Sequence, residues 1–144
     1  MIPNREGFRN NTPLLMYSFS KAERICSKLT IDKLFAGGNR STAIYPLRAV
    51  YMTEEVKDGV PASILISVPK RRFRHAVDRN RMKRQVREAY RLNKHMLWEV
   101  LQSRGLSASI AFVCIADDLC SSVQVERSVK KILHRIVEQI QKGM

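Results

Sequence analysis

Seven lysines and arginines fall within the nineteen residues from Ala76 to Lys94: Arg79, Arg81, Lys83, Arg84, Arg87, Arg91 and Lys94. Lys70, Arg71, Arg72 and Arg74 crowd the segment just before them, and only Asp78 and Glu88 oppose this charge between Lys70 and Lys94. Like charges at such density repel, and a solvated helix normally interleaves both signs to gain i,i+4 pairs. What these groups can do together is neutralise a row of phosphates. At 3.6 residues per turn, Asn80, Arg84, Arg87 and Arg91 line one face. Met82, Val86, Ala89, Asn93 and Leu97 line the other, with Tyr90 at its border. Lys83 flanks the basic stripe, and Arg79 and Arg81 in the first turn can reach around the helix end. Cations there oppose the usual preference for acids at the positive end of the macrodipole. Asp78 partly offsets them and is the candidate N-cap. Phosphate binding explains this pattern better than a merely solvated face. Such contacts supply affinity and register rather than base readout, and they make binding salt-dependent.

The elements that must hold this helix follow from periodicity. "SKAERICSKLTIDKLF" carries Ile25, Leu29, Ile31, Leu34 and Phe35 at roughly helical spacing, with a Ser20–Glu23 capping box and a Gly37-Gly38 stop. It predicts one helix from about Lys21 to Phe35. "STAIYPLRAVYMT" is rich in β-branched and aromatic residues and reads as strand, with Pro46 implying an edge or a bulge. "EEVKDGVP" is a turn, "ASILISV" a further strand pattern, and "LSASIAFVCIA" a strand covered on both faces. Val125, Val129, Ile132, Leu133, Ile136, Val137 and Ile140 form the apolar stripe of a last helix. The fold class is α+β: a single domain with a small sheet of about four strands and three helices, in the order αβββαβα. Residues 1–18 read as a flexible N-terminal arm and 19–141 as the domain.

At 144 residues and 44% apolar content the chain is long enough for one genuine core. Its 26 Lys+Arg against 13 Asp+Glu leave a net charge of +13, which favours a nucleic acid or an anionic membrane as partner. No apolar run approaches the roughly 18–20 residues that cross a bilayer. The opening "MIPNREGFRNNTPLLMYS" lacks the apolar core of a signal peptide, so a cytoplasmic location is expected and nucleic acid leads. Cys26, Cys114 and Cys120 lack CxxC spacing and read as free thiols.

Residues suited to catalysis are scattered. His75, His95 and His134 form no pair with a Cys or an acid; His75 lies in the basic loop, and the other two read as surface residues. Neither metal-ligand spacing nor a cluster of acids for a two-metal nuclease site is present. No catalytic residue and no protein-bound metal is therefore expected.

"SVPKRRFRHAVDRNRMKRQVREAYR", following a strand, resembles the signature of the bacterial ribonuclease P protein family. The resemblance rests on Arg79-Asn80-Arg81 at the helix start, then Lys83-Arg84 and Arg87. "FSKAERICSKLTIDKLFAGG" is similar to the family's first helix, with Lys21, Arg24, Phe35 and Gly38 in matching places. Together these matches cover about Phe19 to Val137. The resemblance implies a protein cofactor of a catalytic RNA that requires Mg²⁺, the holoenzyme hydrolysing precursor tRNA to release its 5′ leader. It assigns Lys70, Arg71, Arg72, Arg74, Arg79, Asn80, Arg81, Lys83, Arg84, Arg87 and Arg91 to RNA. By position it makes Phe35, Tyr45 and Tyr51 the aromatic candidates for a cleft that receives the single-stranded leader, where stacking suits variable sequence. Aromatic residues on strands are also common core residues. It implies a left-handed βαβ crossover against the general right-handed rule. Ile31 stands where the family often has Phe, which makes the cleft less aromatic. The partners implied are the RNA subunit and precursor tRNA, with no membrane and no obligatory protein partner. The competing reading is a non-enzymatic RNA-binding protein of the ribosomal type. A helix-turn-helix DNA-binding module fits less well, because no short helix precedes the basic one.

Overall fold

A computed structural model describes residue 19 and residues 21–55 and 60–143. The expected arm, 1–18, lies outside them, as does Ser20 of the expected capping box. In chain order the elements are a 3₁₀ turn (Lys21–Glu23), α1 (Lys28–Phe35), β1 (Arg40–Ile44), β2 (Leu47–Glu55) and β3 (Ala62–Ser67). There follow α2 (Ala76–Asn93), α3 (His95–Arg104), β4 (Leu106–Cys114) and α4 (Ser122–Gly143).

The strands make one sheet in the order β1-β2-β4-β3. β2 runs antiparallel to both β1 and β4, with Tyr51 opposite Arg40 on one side and Ile110 on the other. β3 lies parallel to β4, Ile64 facing Ile110, so β3, α2, α3 and β4 form the expected parallel βαβ unit. Pro46 sits in the β1–β2 turn behind a cis peptide bond, next to the edge strand β1.

Side chains alternate across the sheet, and the two faces bury different cores. Leu47, Ala49, Tyr51, Ile64, Ile110, Phe112 and Cys114 turn to the face covered by α2, α3 and α4. There they meet Met82, Val86, Tyr90, Leu97, Leu101 and the α4 stripe, of which Val125, Val129, Ile132, Leu133 and Ile136 are fully buried. Ala111 turns the other way with Met52 and Leu65, against Ile25, Ile31 and Leu34. This second layer is small because α1 is only eight residues long.

Two predicted helices are interrupted. The single helix expected over Lys21–Phe35 is a 3₁₀ turn, an extended step and then α1. The extended step forms because the Ile25 N–H donates to the Ile64 carbonyl at 2.9 Å, giving β3 a one-bridge neighbour. Glu23 is buried, and Ser27 caps α1 by accepting from the Thr30 N–H at 3.4 Å. The predicted stop is where α1 ends: Gly37 and Gly38 have φ of 97° and 81°, which side chains with a Cβ rarely adopt. The basic helix ends at Asn93, not beyond Leu97, giving four α-helices where three were expected. Asn93 Nδ2 donates to the Ala89 carbonyl at 2.8 Å, competing with the backbone ladder, and Lys94 turns inward to Glu23. Leu97 is buried as expected, but on α3.

Candidate nucleic-acid interface

α2 is anchored by Met82, Val86, Ala89, Tyr90 and Asn93, all buried. This is the apolar face expected from the helical angles. Asn80 and Arg84 are exposed, and Arg87 and Arg91 half-exposed, on the opposite side, with Lys83 half-buried beside them. The stripe therefore belongs to a rigid element packed on α4 and β3.

Arg87 is the most crowded member. Its guanidinium is pushed below its ordinary pKa, first by desolvation and then by the charges of Arg24 and Arg84. Arg24 thus joins the stripe from the segment after the 3₁₀ turn, and it also stacks over Phe19 at 5.6 Å. The charges of three guanidiniums from two parts of the chain act on one another here, a repulsion that a bound phosphate would relieve. From sequence Arg24 reads only as part of the first helix, since nothing local links it to a residue more than sixty positions on.

Arg91 is partly engaged. Its guanidinium meets the Glu88 carboxylate at 2.5 Å and 3.1 Å, and the hydrogen bond from Arg91 holds that carboxyl below the ordinary carboxylate range. The same contact raises Arg91.

The loop before α2 separates its cations into two kinds. Arg72 Nη1 donates to the Ile115 carbonyl at 3.0 Å and to Asp117 at 2.9 Å, tying the loop to the segment after β4. Arg79 Nη1 donates back to the Phe73 and Arg74 carbonyls at 2.8 and 3.0 Å. Both side chains shape the loop. Lys70, Arg71, Arg74 and Arg81 are exposed. His75 is the N-cap of α2 without a side-chain cap hydrogen bond, while Asp78, the expected cap, lies in the first turn.

The three aromatic candidates are not brought together. Phe35, at the end of α1, and Tyr45, in the β1–β2 turn, are 49% and 58% exposed. β1 runs between their positions, so the two lie roughly 16 Å apart along the strand direction at about 3.3 Å per residue. Tyr51 is 4% exposed and packs in the main core on the face of the sheet opposite α1; its hydroxyl meets Arg40. It offers no open ring face. On the α1 side, alternation places Arg48, Val113 and Ser67 beside the small core, and all three are at least partly accessible.

Cys26 is exposed, and burial pushes the Cys114 and Cys120 thiols up. Among the described residues no group of three or more His, Cys, Asp or Glu is placed to hold a metal ion, and no helix is long and apolar enough to cross a membrane.

Fold and surface together define a class of small, strongly basic α+β domains that present a rigid cationic helix. Residues 19–137 match the family model described as Ribonuclease P. The chain is 45% identical over 124 residues to the ribonuclease P protein component of Porphyromonas gingivalis, covering 86% of this chain and 90% of that one. The ribonuclease P protein component of Chlorobium phaeobacteroides is 30% identical, covering 83% and 88%. The ribonuclease P protein from Staphylococcus aureus has the same fold at 22% identity, with a TM-score of 0.59 over 88% of this chain and 98% of that one. The chain belongs to the ribonuclease P protein family.

Proposed function

We propose that this chain is the protein subunit of a ribonucleoprotein ribonuclease P. It binds the catalytic RNA through α2 and the loop before it, receives the 5′ leader of precursor tRNA on the α1 side of the sheet, and works in the cytoplasm. The observation that carries this reading is a family match spanning residues 19–137, which includes the whole basic stripe and both loop and sheet around it.

The reaction adds water across one phosphodiester bond, leaving a 5′ phosphate on mature tRNA and a 3′ hydroxyl on the released leader. Mg²⁺ held by the RNA subunit supplies the metal chemistry when bound. The chain's own residues do something simpler. Arg84, Arg87, Arg91 and Arg24 neutralise phosphates without demanding a base sequence. Arg72 and Arg79 hold the loop so that Arg71, Arg74 and Arg81 point outward from a fixed frame. A rigid frame lowers the entropy lost when RNA and substrate are aligned.

Reconstitution tests it. The purified chain is mixed with precursor tRNA and Mg²⁺, with and without a bacterial ribonuclease P RNA. Cleavage at the leader junction is expected only with the RNA, and faster with the chain than without it. Cleavage by the chain alone would overturn the division of labour. A chain that leaves the RNA's reaction unchanged would return the protein to the ribosomal-type reading.

A further inference from the structure

A second cationic surface lies at the opposite edge of the sheet. β1 is paired on one side only, and α4 packs across it and β2. Between strand and helix runs an open groove lined by Arg40, Thr42, Tyr51, Arg135, Glu138 and Gln139.

Its two arginines are held by neutral groups. Arg40 Nη1 donates to Gln139 Oε1 at 2.8 Å and also meets the Tyr51 hydroxyl. Arg135 Nη1 donates to Thr42 Oγ1 at 3.0 Å. Neither forms an ion pair among the described residues, and both are exposed. Contrast Arg72 and Arg91, whose charges are met by Asp117 and Glu88. One bond from a guanidinium to a neutral partner fixes its direction and leaves its charge and its other N–H donors to the groove. Two such forks against the single carboxylate of Glu138 make a net cationic site with fixed geometry. Arginine forks of this kind suit the paired oxygens of a phosphate.

We propose that this β1–α4 groove is a second phosphate-binding site, taking a backbone phosphate of RNA while α2 holds another. The inference rests on the proposed function for the identity of the polyanion. Three inter-strand spacings of about 4.8 Å set β1 roughly 14 Å from β3, so the two cationic surfaces flank opposite edges of one rigid sheet. That spacing lets the domain touch two strands, or two RNAs, at once. The phosphate comes either from the RNA subunit or from precursor tRNA.

The test uses the full chain with Arg40→Gln and Arg135→Gln, singly and together. Binding is titrated at several salt concentrations against a ribonuclease P RNA transcript, and against precursor tRNA with that RNA already bound. The double variant should weaken binding on the order of fivefold or more and lower the magnitude of the log K against log salt slope by about one per lost contact. Loss on the RNA transcript alone assigns the phosphate to the RNA subunit; loss only with precursor tRNA assigns it to the substrate. Glu138→Gln should tighten the same interaction. Should the double variant lose its fold, Arg135→Gln alone, on the helix exterior, carries the test. Wild-type affinity and slope on both RNAs, while Arg84→Ala still weakens binding, would sink the second site and leave the proposed function standing. If Arg84→Ala is also without effect, both fall.

Discussion

Lys94 Nζ lies 2.5 Å from Glu23 Oε1, and neither side chain is exposed to solvent. The pair joins the 3₁₀ turn to the α2–α3 junction across 71 residues of sequence. Trp98 lies 4.3 Å from the ammonium and donates its indole N–H to the Tyr90 hydroxyl at 3.1 Å, closing the surroundings of the charge. Burial pulls the ammonium below its ordinary pKa, and Glu23 opposes that pull. Removing one partner strands a buried charge, so Glu23→Gln or Lys94→Met should each cost about 3–5 kcal/mol in urea unfolding. Replacing both with apolar side chains, Glu23→Leu with Lys94→Met, should recover much of that loss. A double variant as unstable as the sum of the singles would show that the pair is not coupled.

The stripe arginines should separate binding from folding. Arg84 is exposed, and its change to Ala should alter stability by no more than about 0.5 kcal/mol. The same change should weaken RNA binding with little sequence dependence and reduce the salt slope by about one. Val86, fully buried against the sheet, should behave in the opposite way: Val86→Asp unfolds the domain by placing an unpaired charge in the core. Circular dichroism and salt-dependent titration of the two variants decide it.

Glu88 competes with phosphate for Arg91. Glu88→Gln removes an acid from the stripe and weakens Arg91's hold, so RNA should bind more tightly and the salt slope should steepen. The pH dependence has a definite sign. Because Arg91 lowers the folded-state pKa of Glu88, the stabilisation is complete above the ordinary value of 4.5 and is lost as pH falls through the lowered one. Near neutrality the pair's contribution should therefore be fully present and insensitive to pH, and any difference between wild type and Glu88→Gln should vanish in acid.

Arg79 and Arg81 are neighbours with different tasks. Arg79 donates to two loop carbonyls, so Arg79→Ala should destabilise the domain by about 1–2 kcal/mol. Arg81 is exposed, and Arg81→Ala should change RNA affinity while leaving the denaturation midpoint in place. Equal midpoints for the two variants would show that the loop does not depend on Arg79.

Tyr45 and Phe35 are exposed but far apart along β1, so each should act alone if it stacks with the leader. Tyr45→Ala or Phe35→Ala should weaken leader-bearing substrate more than leaderless tRNA, by about 1–3 kcal/mol for a stacked base. A length series of leaders would then locate each ring, with the loss appearing at different lengths. Equal losses for both substrates would rule out stacking.

Local chemistry determined much of this protein. The apolar face of α2, the stripe of Arg84, Arg87 and Arg91 behind it, the buried side of α4 and the stop at Gly37-Gly38 were all legible in spacing. Those features depend on repeats of 3.6 or 2 residues and on backbone freedom, which neighbouring residues set among themselves. Tertiary structure decided the rest. No local signal breaks the first predicted helix at Ile25, because the break is made by a carbonyl on β3. Nor does one end α2 at Asn93, where a buried carboxylate from the 3₁₀ turn claims Lys94. Tyr51 reads equally well as platform or core until the sheet assigns its face. The charge of Arg24 acts on Arg87, and Arg40 shares a groove with Arg135, only because distant segments fold side by side; a charge interacts with whatever is near in space, and the sequence records only what is near in the chain.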